Sequence, residues 1–108
     1  MPVADALGFA AVARELATEA RERGLAVPGF RSPPRLAGAR RSLGRHPDGG
    51  AVVAVVVRGR PLADVALDMV DGVLVANRLA GPEAEGLRSA LLAAVPAAAP
   101  GGRAARAA

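Results

Sequence analysis

The chain has 108 residues, no cysteine and no lysine, a formal net charge of +4 and 52% hydrophobic residues. Its length is that of one domain, and no apolar run approaches the roughly 18 residues of a membrane span. The lack of cysteine excludes disulfides, thiolate metal ligands and thiol nucleophiles, and fits a reducing, cytoplasmic setting.

Leu, Val and Phe contribute 27 residues, about a quarter of the chain, so a core can form. Much of the remaining apolar content is alanine, which buries little area, so the core is expected to be small and a partner chain would help it. The charge is segregated. Seven arginines and one acid, Asp48, lie between Arg31 and Arg60, a net +6, while residues 1–30 and 61–108 each come to −1. Arginine in place of lysine is what a GC-rich codon supply produces. Selection for bidentate recognition of phosphate or carboxylate is the alternative.

Residues 5–23 are predicted to form an amphipathic helix. Asp5 suits the N-cap and Gly24 the position just past the end. Phe9, Val12, Leu16 and Ala20 recur on one side, and Glu19 and Arg23 form an i,i+4 pair on the other. Residues 25–38, with Pro28, Pro33 and Pro34, read as an irregular connector in which Phe30 anchors the loop to the core. Alternatively, Phe30, with Arg31 and Arg35 close after it, contacts a partner.

His46-Pro47-Asp48-Gly49 has the composition of a tight turn. It joins a weak strand at about Arg40–Arg45 to a valine-rich strand, Ala51–Val57. Valine on both faces of the second strand implies cover on both sides, and a homodimer is one way to supply it. Residues 61–80 read as a central helix opened by Pro61. Its apolar surface carries Leu62, Val65, Ala66, Met69, Val70, Val73 and Leu74, and its polar stripe Asp64, Asp68, Asp71 and Arg78. A third helix runs from Pro82 to about Val95 with Leu87, Leu91 and Leu92 inward. Residues 96–108 have the composition of a disordered tail. The expected fold is α+β: a single domain over residues 1–95, a small antiparallel β-hairpin or sheet packed with three helices in the order α-β-β-α-α.

Arg58-Gly59-Arg60-Pro61 resembles the core of the AT-hook, and the resemblance covers these four residues only. It implies arginines laid along the minor groove of A·T-rich DNA. The context departs from that family, whose hooks lie in flexible basic segments. Here the four residues join a strand to a helix that carries Asp64, and such a junction accounts for Gly59 and Pro61 without DNA.

Asp64, Asp68 and Asp71 share a helix face. They read as a solvated face, with a hard cation or the arginines of a second copy as alternatives. Asn77 falls in phase with the apolar residues, where it needs hydrogen bonds. Local backbone can supply them, or Asn77 sets the register of a dimer. His46, Ser32, Ser42 and Ser89 have no companions in sequence that would make a catalytic group.

The expected function is therefore that of a non-enzymatic accessory protein without a cofactor or small-molecule substrate. Its arginine-rich hairpin, through Arg31, Arg35, Arg40, Arg41, Arg45, Arg58 and Arg60, binds a polyanion: a nucleic-acid backbone or an acidic protein surface. The scarcity of aromatics disfavours single-stranded nucleic acid. The alternative is a structural homodimer, with Val53, Val55, Val57 and Asn77 at its interface. A small hydrolase or metal enzyme is a distant third.

Overall fold

Apolar side chains that recur at helical spacing need a surface to cover, and here three helices cover one another and one face of a small sheet. A computed structural model describes residues 6–32, 41–45, 49–57 and 59–95, with backbone alone at 6, 7, 41 and 42. The elements are α1 (Ala6–Glu22), β1 (Gly29–Arg31), β2 (Arg41–Arg45), β3 (Ala51–Val55), α2 (Leu62–Ala76) and α3 (Gly81–Ala93). The class is α+β, as the sequence predicts.

One element exceeds the expected set. The connector contains the three-residue strand β1, which pairs in parallel with β3, with Phe30 beside Val53. The expected hairpin is antiparallel, with Leu43 opposite Val53 and Arg45 opposite Ala51. The sheet is therefore mixed, in the order β1-β3-β2. β1 is too short to show alternation. The prolines that argue against helix on either side of it are compatible with an edge strand.

Val53 and Val55 point to the helices and are fully buried. They join Val12, Leu16 and Ala20 of α1, Val65, Ala66, Met69, Val70 and Val73 of α2, and Leu91 and Val95. Full burial of one valine or leucine contributes about 1.5–3 kcal/mol, so this cluster, more than any surface ion pair, holds the fold. Helix α2 lies at its centre, in contact with both other helices and with β2 and β3. It comes close enough to the sheet that a Cβ on Gly72 would meet both Val53 methyls at 2.9 Å. Phe30, Leu87 and Leu92 pack at the margin, so Phe30 serves as the expected anchor.

Two of the helices end in the same way with different residues. After α1, Leu25 N–H donates to the Ala20 carbonyl (2.9 Å) and Gly24 N–H to that of Arg21 (3.0 Å). After α2, Leu79 N–H donates to Leu74 (3.0 Å) and Arg78 N–H to Val75 (3.0 Å). Both are Schellman ends, which need a left-handed residue just past the helix. Gly24 supplies it at φ +77, but after α2 it is Arg78 at φ +56. This end stops α2 at Ala76, short of the expected 80. Residues 46–48 of the expected 46–49 turn, the Asp5 cap and the 96–108 tail lie outside the described residues.

Candidate interaction site

The expected arginine surface can be followed residue by residue. Arg31 pairs with Ala54 in the register and Arg45 with Ala51. Positions 51 and 54 differ in parity, so these two exposed arginines stand on opposite faces of the sheet. Arg60 is engaged within the chain. Its Nη1 donates to the Val56 carbonyl (2.6 Å) and its Nη2 to that of Asp64 (3.4 Å). Nη2 also lies 2.7 Å from Oδ2 of Asp68, and both side chains are 14% exposed. That oxygen receives no aligned hydrogen bond, so the contact is chiefly Coulombic. Arg35, Arg40 and Arg58 lie outside the described residues, and Arg41 is placed by its backbone alone. Among the described residues the arginines of the block do not form one cationic face.

Of the four residues that resemble an AT-hook, Gly59, Arg60 and Pro61 form the strand-to-helix junction, and Arg58 lies outside the described residues. Arg60 N–H donates to the Val57 carbonyl (3.2 Å), with Gly59 in the turn at φ +71. Pro61 then opens α2, its carbonyl accepting from Asp64 (3.1 Å) and Val65 (3.2 Å) N–H. Arg60, the described arginine of the hook, thus spans the junction and meets an aspartate of the next helix.

The expected dimer contacts are also used within the chain. Val53 and Val55 have no exposed surface, and Val57 packs at the margin of the core. Asn77 holds the connector after α1. Its Oδ1 accepts from Ala26 N–H (2.9 Å), and its Nδ2 donates to the carbonyls of Ala26 (2.8 Å) and Val73 (2.8 Å). The local backbone bond was legible in the sequence, but the distant one was not.

The acidic stripe of α2 is largely committed. Asp68 faces Arg60, and Oδ1 of Asp71 accepts from Nε of Arg88 at 2.8 Å. That hydrogen bond, followed by Coulomb attraction to Asp71, raises the Arg88 pKa above its ordinary value. Among the described residues no group of three or more His, Asp or Glu side chains is arranged to hold a metal ion, and no helix is long and apolar enough to cross a membrane.

One surface combines exposed apolar groups with cations that have no ion pair. A groove of about 300 Å³ runs between the hairpin and the C-terminal end of α2, lined by Leu43, Gly44, Arg45, Ala51, Val75, Ala76 and Arg78. Leu43 is 45% and Val75 43% exposed, the large hydrophobic side chains most open to solvent among the described residues. Arg45 and Arg78 are exposed, and among the described residues neither forms an ion pair. Arg45 belongs to the expected arginine block. Arg78 does not, since in sequence it appears as one more residue of a mixed-charge stripe. Its left-handed backbone, in a place that glycine fills after α1, is the feature that singles it out.

Comparison with known proteins yields no match: no family model, no curated protein and no solved structure is significantly similar to the chain.

Proposed function

We propose that the protein is a non-enzymatic, cytoplasmic interaction module that receives an acidic, partly apolar segment of another protein in the groove between β2 and the end of α2. The observation that carries this is the flanking of exposed Leu43 and Val75 by Arg45 and Arg78, which form no ion pair among the described residues. Apolar groups in contact with water gain by being covered, and guanidinium groups at their edge favour an occupant with carboxylates.

A nucleic-acid backbone fits the same surface less well. It would gain nothing from Leu43 and Val75, and it asks for a row of cations on one face. Arg31 and Arg45 lie on opposite faces, and Arg60 is engaged by Asp68. Two acids of the α2 stripe in a second copy, Asp68 and Asp71, are a poor match too, because they already meet Arg60 and Arg88.

The test is a titration of the full chain with three probes at low and moderate salt: a peptide alternating glutamate with leucine, poly-glutamate, and duplex DNA. The amphipathic peptide should bind tightest. Charge reversal at both Arg45→Glu and Arg78→Glu should weaken it by about tenfold or more, the scale of rim charges at an interface. Equal binding of all three probes, or an unchanged affinity in the double variant, would remove the proposal.

A further inference from the structure

The groove borders an edge of the sheet that is unpaired among the described residues, and this defines how an occupant would be held. β2 is the last strand in the order β1-β3-β2, so no described strand lies beyond it. Alternate residues of such an edge turn their N–H and C=O groups outward, where an extended segment can pair with them. β2 reads Arg41-Ser42-Leu43-Gly44-Arg45, and the register sets Arg41, Leu43 and Arg45 against Val55, Val53 and Ala51. Those three positions share one parity, and Leu43 and Arg45 line the groove.

Resting on the function proposed above, we infer that the occupant binds by strand addition to β2. The preferred segment is acidic–x–apolar–x–acidic, with its central side chain beside Leu43 and Val75 and its carboxylates opposite positions 41 and 45. Cross-strand neighbours on one face of a sheet lie about 5 Å apart, so opposite charges there attract and like charges repel. Main-chain pairing supplies affinity and alternate side chains supply selection. A second copy is disfavoured by the same rule. Two β2 strands paired antiparallel about Leu43 would set Arg41 opposite Arg45 at both ends. The small residues Ser42 and Gly44 alternate with these three positions and ask little of the intervening residues.

The probe is a capped peptide of sequence glutamate–threonine–leucine–threonine–glutamate, titrated into the full-length protein by calorimetry. The sequence is the same in either direction, so the outcome does not depend on strand polarity. Two further peptides carry N-methyl groups, one at both threonines and the other at leucine and the glutamates. Strand addition predicts that one of the two loses binding by about tenfold or more, the effect of removing one or two backbone hydrogen bonds, while the other binds like the parent. It also predicts slowed amide exchange in β2 on binding of the parent. If both methylated peptides bind like the parent, strand addition is overturned and the acidic-partner function stands. If the parent itself fails to bind at low salt, or binds no better than its lysine-for-glutamate counterpart, that function falls as well.

Discussion

The carboxamide of Asn77 closes on the backbone of Ala26 from both sides, accepting its N–H at 2.9 Å and donating to its C=O at 2.8 Å. It thereby gives an irregular segment the pairing that a neighbouring strand would provide, and ties the exit of α1 to the end of α2. Asn77→Ala should destabilise the chain by about 1–3 kcal/mol, because Ala26 loses both partners. Asn77→Asp should do no better, since a carboxylate keeps the acceptor but faces the carbonyls of Ala26 and Val73 without a donor. Denaturant unfolding of the three proteins checks this, and an aspartate variant as stable as the parent would contradict the clasp.

Gly72 and Gly86 are both helical, yet their replacement by alanine should have opposite signs. At Gly86 a Cβ meets nothing within 4 Å, so Gly86→Ala should stabilise by about 0.5–1 kcal/mol through helix propensity. At Gly72 a Cβ would stand 2.9 Å from the Val53 methyls and 3.3 Å from its Cβ. Overpacking of this kind costs about 1–3 kcal/mol, which outweighs the propensity gain. Thermal unfolding should separate the two variants on either side of the parent.

Arg78 adopts φ +56 where Gly24 adopts +77 at the equivalent end of α1. Arg78→Gly should therefore raise stability by up to about 1 kcal/mol, by relieving a left-handed side-chain-bearing residue. The same change should weaken binding of the acidic probe. Unfolding and titration on one preparation test both. A loss of stability would show that the Arg78 side chain supports the fold rather than a partner.

The pair formed by Arg60 and Asp68 should be asymmetric. Arg60→Ala strands a largely buried carboxylate and removes the donor to the Val56 carbonyl, for a cost of about 2–4 kcal/mol. Asp68→Ala leaves Arg60 its carbonyl partners and should cost less. Equal or reversed losses in chemical denaturation would refute the central role given to Arg60 at this junction.

Much of the architecture could be read directly from residue order. The helical recurrence of Val12, Leu16 and Ala20, and that of Val65, Met69 and Val73, fixed two buried faces, and the valine run fixed the central strand. These are local periodicities, set by backbone geometry whatever lies opposite. The Glu19–Arg23 pair and the glycine end of α1 were legible for the same reason. β1 was not, because three residues between prolines carry no period and form a strand only once β3 offers its edge.

The fate of the charges belonged to the tertiary structure. In one dimension Arg45 and Arg60 are equal members of a basic block. In three, one is exposed beside Leu43 and the other is held by Val56 and Asp68. Composition determined that the chain would be cationic, and hydrophobic periodicity which side chains would be buried. Which guanidinium groups remain for a partner depended on distant elements meeting, since a charge is neutralised by what lies within a few ångströms and not by what lies near it in sequence.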